Sequence, residues 1–69
     1  MHTICTYHIT VRGQMDEADF NATGPVQIIV VKMDASATLI TGSTDQSGLI
    51  GLIRHLHQQG FVILTVFRE

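Results

Sequence analysis

The sequence is poor in cysteine and in charged residues. Its single cysteine, Cys5, excludes a scaffold held by internal disulfides. Charged residues make up 14% of the chain, against roughly 25% in typical soluble domains. Disorder is excluded because it requires low hydrophobicity with high charge, whereas 45% of these residues are hydrophobic. Four Lys and Arg residues and a net charge of -2 form no basic patch, which excludes electrostatic nucleic-acid binding.

Long hydrophobic runs are also absent. The run at residues 28–31 has four apolar residues, whereas a membrane span needs about twenty. The start Met1-His2-Thr3 has no basic region, and the following residues alternate instead of forming the apolar stretch of a secretory signal. We therefore expect a cytoplasmic protein with no membrane partner.

The length of 69 residues predicts one domain, residues 1–69. A domain of about 60 residues buries only about 60% of the surface that its unfolded chain exposes. Burial and conformational entropy nearly cancel in such a small monomer, so it is only marginally stable, and a metal or oligomerisation commonly supplements it.

Alternation of apolar and polar residues predicts a first strand at residues 3–11, whose core face carries Cys5, Tyr7, Ile9 and Val11. The acidic segment 14–21 fits either a short helical turn or a ragged edge strand. A hairpin is predicted from a strand at 26–33 and a short strand at 37–41.

A helix is predicted from a polar start at residues 43–46 to about Gln59. Ser43 and Gln46 have capping-box spacing, and Thr44 or Asp45 could serve as the cap instead. Gly60 is the expected stop, before a last strand at 61–67. Alternation places Phe61, Ile63 and Phe67 on one face of this strand and Val62, Leu64 and Val66 on the other. One buried helical stripe consists of Leu49, Leu52, Ile53 and Leu56.

These elements predict an α+β fold in the order β-β-β-α-β. Its small mixed or antiparallel sheet has about four strands, and a single helix covers one face.

Strands 26–33 and 61–67 are apolar on both faces, a pattern expected where both faces of a sheet are buried. One helix covers one face, so we expect a homodimer or higher homo-oligomer, most simply with sheet packed on sheet. The alternative is that segment 14–22 folds over the other face. The candidates for the core or an interface are Ile28, Ile29, Val30, Val31, Leu49, Leu52, Ile53, Leu56, Phe61 and Phe67.

No residue spacing predicts a catalytic, cofactor or metal site. The conventional metal ligands are His2, His8, His55, His57 and Cys5, and no pair has H-x-x-x-H or C-x-x-C spacing. We expect surface histidines, with His57 at the edge of an interface. Cys5 on a core face is expected to act as a small hydrophobe. The acidic residues Asp16, Glu17 and Asp19 lack the glycine and terminal glutamate of a calcium loop, so they predict a solvated segment.

The segment from Thr38 to Leu52, followed by Gly60 and the strand to Val66, resembles a group of small uncharacterised bacterial proteins. Their pattern is close to T-x-L-x-G-x-x-x-D-Q-x-x-L-x-G-L-L, and the first strand and Phe20 also fit. The resemblance implies a compact β-α-β-containing domain and implies no activity.

We therefore expect a non-enzymatic oligomeric module that acts through protein interaction. The alternative is a small-molecule-binding protein with an apolar pocket between helix and sheet or at the subunit interface.

Overall fold

Four strands and two helices follow one another in the order β-α-β-β-α-β. The structure is a computed structural model that describes residues 3–69. The strands are β1 (Cys5–Arg12), β2 (Ile29–Met33), β3 (Ala37–Thr44) and β4 (Ile63–Arg68), and the helices are α1 (Glu17–Thr23) and α2 (Gln46–Gln58). The α+β class with a four-stranded sheet is as expected. The predicted order β-β-β-α-β is wrong, because the acidic segment forms a second helix.

Helix α1 is short and is held at its start by a side chain. Asp16 is the N-cap, and its Oδ1 accepts a hydrogen bond from the backbone N–H of Asp19 at 3.0 Å. Of the seven residues of α1, all of them described, Phe20 alone is buried. A helix with one buried side chain shows no hydrophobic periodicity, which explains why the sequence pattern left this segment open.

The sheet is antiparallel, with the strand order β2-β3-β1-β4. Because β1 and β2 are both antiparallel to β3, they are parallel to each other, and α1 connects them. In the same way α2 connects β3 to β4, which lie on either side of β1. This topology is the split β-α-β arrangement of ferredoxin-like folds.

Both helices cover the same face of the sheet. Ile9 of β1 is paired with Ile40 of β3, and both are buried in one cluster with Phe20 of α1 and Leu52 of α2. The prediction of a single covering helix is therefore wrong, and the acidic segment does not fold over the other face. We call that other face the open face. Its members include Thr6, His8, Thr10, Ile29, Lys32, Leu39, Thr41, Ser43, Thr65 and Phe67.

A register shift in β4 changes the faces on which its side chains lie. Thr65 is paired with Thr10, but the next pair joins Ile63 to Val11 and leaves Leu64 out. Ile63 therefore lies on the covered face, whereas Phe67 lies on the open face. The prediction that these two side chains share a face is wrong, because simple alternation does not include a bulge.

The end of α2 follows the sequence signal. Gly60 has a φ of +87°, its N–H donates to the carbonyl of His57, and the N–H of Phe61 donates to the carbonyl of Leu56, both at 3.0 Å. These two bonds form a Schellman motif, for which glycine is favoured since it has no Cβ.

The ten candidates for core or interface positions differ in burial. The buried ones are Ile28, Leu52 and Leu56, the partly buried ones are Val30, Leu49, Ile53 and Phe61, and the exposed ones are Ile29, Val31 and Phe67.

Candidate functional site

The start of α2 is capped by Asp45. Its Oδ1 accepts a hydrogen bond from the N–H of Gly48 at 2.8 Å. Ser43 does not cap the helix, because β3 extends to Thr44 and its pairing with β1 holds Ser43 in the strand. Gln46 is the first residue of α2, so it cannot close the capping box that the sequence suggested.

A groove of about 920 Å³ opens beside this helix start, between α2 and the sheet. Its apolar wall is formed by Leu49 and Ile50, and Arg68 of β4 lies at its rim. The remaining lining residues are Thr3, Cys5, Tyr7, Asp45, Gln46 and Ser47. The groove has a lining of mixed polarity, whereas the pocket proposed from the sequence is apolar.

Two polar groups in the groove form no hydrogen bond or ion pair with other side chains of residues 3–69. Tyr7 is 8% exposed, and its hydroxyl forms no hydrogen bond with any residue of 3–69. Within residues 3–69 the buried side-chain oxygen without a hydrogen-bond partner is Thr41 Oγ1, so the Tyr7 hydroxyl is accessible from the groove. The exposed Arg68 forms no ion pair with those residues either. The groove can therefore offer a hydrogen-bond donor and a positive charge to a small molecule.

Cys5 supplies the thiol of the groove and is half-buried. A cysteine nucleophile needs a base within hydrogen-bond reach. No histidine is among the described residues that line the groove.

The histidines lie in separate environments. His55 is buried, with its Nε2 3.3 Å from the hydroxyl of Thr23 and its ring 4.6 Å from that of Phe20. The expectation of a surface residue is wrong for His55, because α1 covers it. His8 stacks on Phe67 on the open face. His2 lies outside the described residues, and within residues 3–69 no group of histidine, cysteine and acidic side chains could hold a metal.

Comparison with known families identifies the chain. The family described as a domain of unknown function (DUF8691) matches residues 6–66. The chain belongs to this family. No curated protein and no solved structure matches it. The DUF8691 match includes Tyr7 and the start of α2. It ends before Arg68.

No helix in the described part of this DUF8691 chain is long and apolar enough to cross a membrane.

The large exposed apolar side chains of the DUF8691 sheet lie on its two edge strands. They are Ile29, Val31 and Met33 in β2 and Leu64, Val66 and Phe67 in β4. The open face of the central strands instead carries mostly hydroxyl groups and His8. The sheet face is thus less apolar than expected, because the strands that are apolar on both sides are the edges.

Side chains of α1 hold the DUF8691 hairpin in place. The amide of Asn21 donates from Nδ2 to the carbonyl of Ile28 and accepts at Oδ1 from the N–H of Ile28, both at 2.9 Å. The Oε2 of Glu17 accepts from the N–H of Val30 at 2.8 Å. The acidic segment therefore has a structural role, and no pattern in the sequence signals that of Asn21.

Proposed function

We propose that this DUF8691 protein is a non-enzymatic module that acts through protein interaction as a homodimer or a higher homo-oligomer. The observation that carries the proposal is the exposure of large apolar side chains on both edge strands. Contiguous apolar patches larger than a few hundred Å² usually mark interaction surfaces. The small size of the domain supports the same conclusion, because a second subunit adds buried surface that a chain of 69 residues lacks.

Size-exclusion chromatography with light scattering tests this proposal. At micromolar concentrations we expect a mass of at least twice the 7.6 kDa of one chain. A mass equal to one chain would refute it.

The second candidate function is the binding of a small molecule in the groove. The observation that favours it is the Tyr7 hydroxyl, which is accessible from the groove and has no partner within residues 3–69. Arg68 selects for an anionic group, and the Leu49 and Ile50 wall selects for an apolar one. A small carboxylic acid with an aliphatic or aromatic body has both features.

A thermal-shift screen of such acids tests the second candidate. We expect at least one to raise the Tm of the wild type and to have a weaker effect on Tyr7→Phe, which keeps the ring and removes the hydroxyl. Thr10→Ala on the open face is the control. The absence of a shift with every acid would count against the groove.

We also infer that the protein is bacterial and cytoplasmic. The resemblance of residues 38–66 to small bacterial proteins supports the first part. The presence of a single cysteine supports the second, because chains of oxidising compartments commonly carry several disulfide-bonded cysteines. Cell fractionation of the native host tests the location, and recovery in an oxidising compartment would contradict it.

A further inference from the structure

We propose that a second copy of this chain pairs with the outer edge of β4 and extends the sheet across a two-fold axis. The inference rests on the proposed homo-oligomer and names the surface that it uses. β4 is the last strand of the sheet, so within the described chain one side of its backbone has no strand beside it. Unpaired strand edges are templates for pairing with another chain.

The hydrogen-bond pattern shows which groups of β4 face this edge. The N–H of Glu69 donates to the carbonyl of Thr6 at 2.9 Å, so these two residues form a hydrogen-bonded pair. Such pairs alternate with non-bonded pairs along an antiparallel ladder. The bonded pairs therefore include Phe67, whereas Val66 and Arg68 direct their N–H and C=O groups away from β1.

The other edge of the sheet is protected, which makes β4 the better docking strand. β2 has five residues and carries the charged Lys32. Its Val30 N–H is already bonded to the carboxylate of Glu17, at 2.8 Å. Short strands, charges and bulges are the common means of blocking an edge. β4 has six residues and also has a bulge and one charge, but that charge, Arg68, is its last residue, and no side-chain hydrogen bond to its backbone is found within residues 3–69.

The outward groups favour a copy of the same strand as the occupant. With Val66 on a two-fold axis, each copy of Val66 donates its N–H to the other and accepts at its C=O. Thr65 then lies opposite Phe67 of the second copy on the open face, and a β-branched residue opposite an aromatic one is a favourable cross-strand pair. One patch thus complements itself, as a two-fold interface requires.

The available surface extends beyond the strand edge. A standard interface needs about 800 Å² from each partner. The edge itself is only about 20 Å long. Ile50 of α2 is exposed and lines the same groove as Arg68, so the apolar surface near this edge includes a residue of α2.

A charge placed on each edge in turn tests the inference. Val66 is 39% exposed and Val31 on the β2 edge is 56% exposed, so lysine at either position is compatible with a folded monomer. We expect Val66→Lys to halve the mass measured by light scattering. The matched control Val31→Lys should leave the mass unchanged, and circular dichroism melts show that both variants fold.

Amide hydrogen exchange of the wild type gives a second measurement that needs no variant. In the assembly the N–H groups of Val66 and Arg68 should be protected, and dilution should remove that protection. The N–H of Phe67 faces β1 and should stay protected at all concentrations, which provides an internal control.

The outcomes separate this inference from the proposed function. A wild type of 7.6 kDa refutes both. If Val66→Lys keeps the oligomer mass of the wild type, and the amides of Val66 and Arg68 exchange fast, then pairing through β4 is refuted while the proposed homo-oligomer stands. Fast exchange at these two amides in the wild-type oligomer refutes pairing through β4 even if Val66→Lys does not fold.

Discussion

Truncation of Leu52 to alanine tests the core on which every surface described above depends. Leu52 is 0% exposed and belongs to the buried cluster of Ile9, Ile40 and Phe20. Leu52→Ala removes buried methyl groups and leaves a cavity that close-packed neighbours fill only in part.

The expected loss is large compared with the stability of so small a domain. Leucine-to-alanine changes in cores cost about 2–5 kcal/mol. At roughly 0.05–0.15 kcal/mol per residue, a chain of 69 residues has about 3–10 kcal/mol in total. A loss of about 3 kcal/mol would lower the Tm by about 12–24 °C.

Urea unfolding followed by circular dichroism measures this loss. The measurement is made in the Val66→Lys background, so that contacts between subunits do not contribute. The matched control is Ile50→Ala, which removes a similar side chain from a position of α2 that is 51% exposed and should change the free energy of unfolding by less than about 0.5 kcal/mol. Equal losses in the two variants would refute the orientation of α2.

Three further predictions concern local structure. Asp45→Ala removes the α2 cap and should cost about 1 kcal/mol in urea unfolding, while retained stability would contradict the cap. Gly51→Ala should stabilise α2 by up to about 1 kcal/mol. Gly48→Ala should destabilise α2, because the new Cβ would overlap the Thr44 hydroxyl. A higher Tm for Gly48→Ala than for Gly51→Ala would contradict this ranking. Hydrogen bonds from the N–H and hydroxyl of Ser36, then from the N–H of Ala37, lower the pKa of Asp34 from 3.8, so its stabilisation is present above about pH 4 and is lost as the pH falls through the lowered value. Between about pH 5 and pH 2 the urea midpoint of Asp34→Asn should therefore fall less steeply than that of the wild type. Equal pH dependence of the two midpoints would contradict the role of Asp34.

Local signals in the sequence were sufficient for the elements that carry a complete periodic pattern. The alternation through Tyr7, Ile9 and Val11 predicted β1 and its buried face, because side chains of a strand point alternately to opposite faces. The end of α2 at Gly60 was predicted for a similar reason, since a positive φ favours glycine.

Helix α1 and the edge bulges could not be predicted in this way. The seven residues of α1 bury Phe20 alone, and the helix is held by contacts of Glu17 and Asn21 with residues that are distant along the chain. The bulge in β4 exists only relative to β1, so no property of residues 63–68 alone reveals it.

The sequence by itself determined that this chain has few charges, two strands that are apolar on both sides, and a helix with one buried stripe. Only the tertiary structure decided that those two strands are the edges of the sheet, since strand order depends on hydrogen bonds between residues far apart in sequence. That order moves the exposed apolar surface from a sheet face to a strand edge. At this edge the backbone N–H and C=O groups of Val66 and Arg68 point away from β1.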